Sequence, residues 1–206
     1  MGNSTFLFII ELIGTFAFAV SGIRIAANKR FDIFGAYVVG LVTAIGGGTL
    51  RDLMLNLTPF WMLSPIYVII TGAAVLFVMM AGKHILRFAN TFFIFDSIGL
   101  ALFVVVGMQK TLAVDYPFWV AIIMGTLTGA FGGILRDILV NEEPLIFRKD
   151  IYASACIIGG VIYWIFAELG VADTITQSAV AAGVILTRFA AVKFHWALPT
   201  MKGENG

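Results

Sequence analysis

Apolar runs of about twenty residues are the feature of this 206-residue chain that most restricts its fold. A helix needs about 20 residues to cross the hydrocarbon core of a bilayer. Seven runs approach that length, at roughly 5–25, 33–55, 64–82, 90–108, 117–140, 150–168 and 174–193. Backbone groups in lipid must be paired within their own segment, and no alternating barrel pattern occurs, so the runs are predicted to be helices. The sequence therefore predicts an all-α membrane protein with seven transmembrane helices.

Composition and charge agree with a protein that is embedded in a lipid bilayer. Hydrophobic residues make up 60% of the chain, charged residues 12%, and the mean hydropathy is +1.00. The formal net charge of +1 offers no basic surface for nucleic acid, so that partner class is not expected. Connections between the runs are short, which predicts one transmembrane domain over residues 1–206.

The distribution of basic residues predicts the orientation of the chain, because cytoplasmic loops have the excess of Lys and Arg. If the spans alternate in direction, one side of the membrane has only Lys110. The other side collects Arg24, Lys29, Arg30, Lys83, Arg87, Arg148, Lys149, Lys193 and Lys202. We expect the amino terminus outside and the carboxyl terminus in the cytoplasm.

A glycine-rich motif occurs twice, at the same position in each half of the chain. Gly46-Gly47-Gly48-Thr49-Leu50-Arg51-Asp52 returns as Phe131-Gly132-Gly133-Ile134-Leu135-Arg136-Asp137. The same ungapped offset of 85 residues pairs Glu11 with Asp96, Asn56 with Asn141, Pro59 with Pro144, and Tyr67 with Tyr152. Each half contains three spans, and an odd number inverts the second copy relative to the first. We predict inverted repeats at about 5–82 and 90–168, with a seventh helix at about 174–193 outside them.

The paired glycines allow two structural interpretations. Glycine weakens a helix by about 1 kcal/mol relative to alanine, so Gly46, Gly47 and Gly48 would break or kink the second helix, and Gly132 and Gly133 the fifth. Backbone groups freed by a break are tolerated where they line a cavity. The alternative is close helix packing, which small residues at four-residue spacing also favour. Both interpretations remain open from the sequence.

Charged residues inside apolar spans need partners, because unpaired charges in a bilayer are costly. Arg51 and Asp52 are about 100° apart on a helix and are not expected to pair with each other. Their depths instead predict one ion pair between Glu11 and Arg51. A second pair would join Asp96 to Arg136, and each pair would lie towards one mouth of a pathway.

The alternative for these arginines is that they extend to the nearby interface, which we also expect of Arg188. Cys156 is expected in the apolar core. His84 and His195 have no second ligand at metal-binding spacing, so neither a metal nor a cofactor is expected. The sequence has no motif of hydrolytic chemistry, which predicts that the protein is not an enzyme.

At its duplicated Gly-Gly-x-Leu-Arg-Asp motifs the chain resembles the prokaryotic relatives of the trimeric intracellular cation (TRIC) channels. The resemblance implies a homotrimer in a bacterial or archaeal inner membrane, with one pore in each protomer that conducts monovalent cations, chiefly potassium. It also implies that kinked second and fifth helices line that pore. The Lys-Glu-Val motif of the animal branch is absent, so lipid regulation of that type is not expected.

Two functions are therefore considered. In a potassium channel, freed carbonyls together with nearby Asp52, Asp137, Glu11 and Asp96 would replace part of the hydration shell of the ion. Some bacterial proteins with this duplicated domain are described as glycine transporters. In a transporter, positive helix ends and paired charges would hold a small zwitterion such as glycine.

Overall fold

The computed structural model describes residues 2–87 and 90–199, with side chains at 5–82 and 91–199. This part of the chain forms α1 (Gly2–Asn28), α2 (Ile33–Met54), α3 (Ile66–Arg87), α4 (Asn90–Leu112), α5 (Phe118–Leu139), α6 (Ala153–Glu168) and α7 (Asp173–Lys193). Short 3₁₀ turns follow α2 at Phe60–Met62 and α5 at Leu145–Phe147. The predicted all-α class and the order of the seven helices are confirmed. The side chains of Lys83, His84, Arg87 and Lys202 lie outside the described ones.

The lengths of the helices fit a protein that crosses a membrane several times. Five are long and apolar enough to span a bilayer, namely α1, α2, α4, α5 and α7. The apolar part of α3 ends at Gly82, and α6 is likewise shorter. Gly82 has φ 49° and ψ −141°, which is outside the helical region.

Four helices form a closed ring at the centre of the protein. The most extensive helix contacts join α1 to α2, α2 to α5, α5 to α4, and α4 to α1, whereas the diagonal pairs barely touch. Inside the ring the aromatic rings of Phe18 and Phe103 stack with centroids 5.3 Å apart. Outside it, α3 packs against α1 and α6 against α5, and α7 contacts both α4 and α6. The ring contains both copies of the glycine-rich motif.

Successive helices run in opposite directions, so the bundle has two ends. We call the end where α1 begins the first end and the end where α7 finishes the second end. The motif of α2 lies near the first end, where Glu11 of α1 and Lys110 at the end of α4 also meet. The motif of α5 lies near the second end, where Arg136 meets Asp96 at the start of α4. The two copies are inverted, as predicted.

Local structure also repeats at the predicted offset. Asn56 and Asn141, which directly follow the last turns of α2 and α5, both have φ 56°. Asparagine tolerates this left-handed conformation at a helix end better than most residues. The Thr43 hydroxyl donates to the Val39 carbonyl and the Thr128 hydroxyl to the Met124 carbonyl, each at 2.6 Å.

Of the two interpretations of the paired glycines, a break in α2 and α5 is wrong. Both helices are continuous, and among the described helices Gly82 of α3 is the residue with non-helical backbone angles. A β-carbon at Gly47 would collide with the Thr128 carbonyl, and one at Gly132 with the Thr43 carbonyl. The glycines therefore let two helix backbones cross closely, which is the packing alternative.

The other motif glycines make room for side chains. A β-carbon at Gly46 would meet Leu135, one at Gly48 would meet the Phe60 ring, and one at Gly133 would meet the Tyr152 hydroxyl. At these positions the stabilisation from close packing exceeds the cost of glycine's weak helix propensity, because atoms of a neighbouring element fill the space of each missing side chain.

Candidate ion pathway between two charged clusters

At the first end, Glu11 has two partners, and neither is Arg51. Its carboxylate accepts a hydrogen bond from the Tyr67 hydroxyl at 3.0 Å and forms an ion pair with Lys110 Nζ at 2.6 Å. Glu11 is only 4% exposed. The predicted Glu11–Arg51 pair is therefore wrong, because Lys110 reaches the carboxylate from the end of α4.

Arg51 binds its own neighbour, Asp52, although this was not expected. Arg51 Nε and Nη2 donate to Asp52 Oδ1 at 2.8 and 2.6 Å. The long arginine side chain can fold back, which overcomes the 100° between adjacent helix positions. Asp52 Oδ2 accepts the Phe60 backbone N–H at 2.8 Å, so one carboxylate joins the guanidinium to the 3₁₀ turn after α2.

At the second end, the predicted pair of Asp96 with Arg136 is confirmed. Arg136 Nη1 donates to Asp96 Oδ1 and, at 2.9 Å, to the Ser21 hydroxyl of α1. Arg188 Nη1 donates to the other oxygen, Asp96 Oδ2, at 2.7 Å. Arg188 is 4% exposed, so the expectation that it extends to the interface is wrong.

The arginine–aspartate unit itself is repeated closely in both halves. Arg136 Nε donates to Asp137 Oδ1 at 2.8 Å, and Asp137 Oδ2 accepts the Leu145 N–H at 3.1 Å. Leu145 occupies the position of Phe60 at the offset of 85. In each half, therefore, the aspartate fastens its arginine and the following 3₁₀ turn to the end of the helix.

Symmetry fails at the carboxylates of α1 and α4, because α7 supplies Arg188 as an additional partner in the second half only. In the first half α3 lies directly on α1, and Tyr67 reaches Glu11. In the second half α7 packs on both α4 and α6, and the matching Tyr152 hydroxyl is buried without a hydrogen-bond partner among the described residues. The guanidinium carbon of Arg188 lies 4.6 Å from the Tyr152 ring centroid, within cation–π range.

The two groups are named here the first-end cluster and the second-end cluster. The first-end cluster comprises Glu11, Arg51, Asp52, Tyr67 and Lys110. The second-end cluster comprises Ser21, Asp96, Arg136, Asp137 and Arg188. Each cluster has two carboxylates and two basic groups, so its charges balance. This balance matters because an unpaired ion would be costly to bury. Four cluster residues were absent from the predicted site, namely Ser21, Tyr67, Lys110 and Arg188, although Lys110 was distinctive as the basic residue alone on its side.

A cavity leads to the aspartate of each cluster. One of about 300 Å³ at the first end is lined by Asp52, Phe60 and Lys110, among others. One of about 210 Å³ at the second end is lined by Asp137, Leu145 and Glu142, among others. Lys29 forms an ion pair with Glu142 there, which lowers the pKa of this exposed loop carboxyl. Arg51 and Arg136, which bind these two aspartates, are themselves fully buried.

Comparison with known proteins agrees with the duplicated architecture. A family model described as "Glycine transporter" matches the chain twice, over residues 8–83 and 93–168. The chain belongs to this family. Its two matches begin 85 residues apart, which is the offset that relates the motifs. A "UPF0126 membrane protein" of Vibrio cholerae is 38% identical over 202 residues, covering 96% of this chain and 84% of the relative.

Solved structures extend the likeness from sequence to fold. The TRIC trimeric intracellular cation channel orthologue from Rhodobacter sphaeroides has a TM-score of 0.86 and 34% identity, covering 92% of this chain and 98% of that one. A second structure, of TRIC cation channels studied for conductance, has a TM-score of 0.85 and 32% identity, covering 95% and 97%. The resemblance to prokaryotic TRIC channels is confirmed, and this member of the glycine-transporter family is a multi-pass membrane protein.

Proposed function

We propose that the protein is a channel for monovalent cations, chiefly potassium, whose pathway runs through the ring of α1, α2, α5 and α4. The observation that supports this most strongly is the Asp96 carboxylate, which is fully buried and bound by Arg136 and Arg188 inside a fold shared with cation channels. A buried carboxylate on this path attracts cations as soon as its basic partners move away. The pathway would join the cavities at Asp52 and Asp137.

In this proposal each cluster closes one end of the pathway. At the first end, Arg51 would leave Asp52 and Lys110 would leave Glu11. At the second end, Arg136 would move from Asp137 and Asp96. Carboxylate and carbonyl oxygens would then replace part of the water around a potassium ion.

The motif glycines would permit that movement. Gly46, Gly47 and Gly132 lie at the α2–α5 contact, and Gly48 and Gly133 make room for Phe60 and Tyr152. Because these residues are small, few interlocked side chains would have to separate when α2 slides along α5. The proposed pathway includes the residues that were proposed from the sequence, with close packing instead of broken helices at the glycines.

Transport of a small amino acid such as glycine is the second candidate, favoured by the description of the family model. The inverted repeats suit alternating access, in which one cluster opens while the other stays closed. Opposite charges in each cluster would then bind the carboxylate and the ammonium group of the zwitterion.

Liposomes containing the purified protein separate the two candidates. We expect potassium flux driven by an imposed voltage, and no uptake of labelled glycine above that of empty liposomes. Saturable glycine counterflow without potassium flux would reject the channel and favour the transporter.

We also propose that three copies assemble, because the structural neighbour from Rhodobacter sphaeroides is trimeric. An apolar groove of about 290 Å³ between α2 and α5 offers one surface for a neighbouring copy. Native mass spectrometry is expected to give three times the 22.3 kDa chain mass, whereas a monomer mass would contradict assembly.

A further inference from the structure

We propose that the second end of the bundle has a binding site for a small monocarboxylate with an apolar body. A cavity of about 430 Å³ lies there, within the size range of small-molecule sites. Its walls come from the start of α4, the loop before α6, the end of α7 and the segment after α7. Lining residues include Phe92, Phe93, Ile151, Arg188, Ala191 and Trp196.

Arg188 supplies the recognition group. It is 4% exposed, it lines the cavity, and its Nε has no hydrogen-bond partner among the described residues. Its Nη1 is already bound to Asp96. A buried donor without a partner is destabilising, and an acceptor on a ligand would remove that cost. Guanidinium groups bind carboxylates with particular geometric specificity.

The remaining lining restricts the class of ligand. Phe93 lies against Arg188, with its ring centroid 4.9 Å from the guanidinium carbon, and Trp196 adds a second aromatic wall. His195 adds a polar ring, whereas the exposed Asp150 disfavours anions of high charge. One carboxylate on an aromatic or aliphatic body fits this combination better than a phosphate ester or a free amino acid.

Such a ligand would share Arg188 with Asp96 and weaken the second-end cluster. This consequence rests on the proposed function, because it alters flux only if the cluster closes a pathway. Binding itself needs no transport, so it can be tested separately.

The full-length protein in detergent is titrated with benzoate while tryptophan fluorescence and thermal unfolding are followed. We expect saturable binding that is weaker by about tenfold or more in Arg188→Gln, as loss of a charge-assisted hydrogen bond implies. Ala191→Leu fills the cavity while Arg188 and Asp96 remain, so it should weaken binding even if Arg188→Gln folds poorly. Lys193→Gln removes an exposed charge from the same helix end and should bind as the original protein does.

Benzyl alcohol and benzylamine test the chemistry of the ligand. Absence of saturable benzoate binding, or equal affinity in Ala191→Leu, would overturn the site. Both should bind more weakly than benzoate, and equal binding of either one would overturn the carboxylate assignment. Benzoate binding with these variant effects, in a protein that conducts no potassium, would uphold the site and reject the proposed channel. Potassium flux without benzoate binding would reject the site and uphold the proposed channel.

Discussion

Arg188 connects a helix outside the repeats to a carboxylate inside them. Its guanidinium lies close to the Tyr152 and Phe93 rings while one nitrogen pairs with Asp96. The matching carboxylate, Glu11, is served by a lysine and a tyrosine instead. The two proposed closures therefore differ in composition, because the second combines two guanidinium groups on one fully buried carboxylate.

Replacing Arg188 by Gln should destabilise the protein by on the order of 3 kcal/mol, since it removes one partner of a buried ion pair. Arg188→Lys keeps the charge but loses the planar group between the rings, so its loss should be intermediate. Chemical unfolding in detergent measures both. Lys149→Gln, at an exposed position of the same end, is the control and should change stability by less than about 0.5 kcal/mol.

A charge exchange tests which basic residue serves Glu11. Glu11→Lys and Lys110→Glu should each lower stability, and the double variant should recover roughly 0.5–3 kcal/mol of coupling energy. The exchange of Glu11 with Arg51 should recover nothing, because Arg51 is bound to Asp52. Recovery in the second exchange but not in the first would contradict the pairing seen here.

At the scale of the helices, the crossing of α2 and α5 depends on two glycines that face carbonyl groups. Gly47 lies against Thr128 and Gly132 against Thr43, so the two contacts are related by the pseudo-twofold axis. Any side chain at either position would push the helices apart.

Gly47→Ala and Gly132→Ala should each cost roughly 1–3 kcal/mol, as added atoms do in a packed core. Gly72→Ala is the matched control, since nothing lies within 4 Å of a β-carbon there. That control should be neutral or stabilising by up to about 1 kcal/mol, because alanine is the better helix former. Thermal unfolding in detergent ranks the three, and an equal effect at positions 47 and 72 would contradict the close crossing.

At the scale of the whole molecule, seven helices and their inversion follow from apolar length and from the offset of 85 residues. Not all partners of the charged side chains could be predicted from the sequence. Spacing alone cannot show that Arg51 folds back onto Asp52, or that α7 brings Arg188 to Asp96. Those contacts depend on side-chain length and on helix neighbours, whereas Asp96 with Arg136 was predictable from depth.

Orientation in the membrane is still a prediction from the basic residues. Cys156 is fully buried, which gives a low background for labelling introduced cysteines. Thr58→Cys at the first end should react with an impermeant maleimide added outside intact cells. Glu143→Cys at the second end should react only after permeabilisation, and the opposite pattern would reverse the proposed orientation.

Single-channel recording in a planar bilayer tests the proposed cation pathway most directly. In a potassium chloride gradient we predict discrete current steps that reverse near the potassium equilibrium potential. Arg188→Gln should raise the open fraction without changing the size of the step, because it weakens the second-end cluster. The proposal would be contradicted by a protein that gives no current steps yet exchanges glycine saturably, or by an open fraction that is unchanged in folded Arg188→Gln.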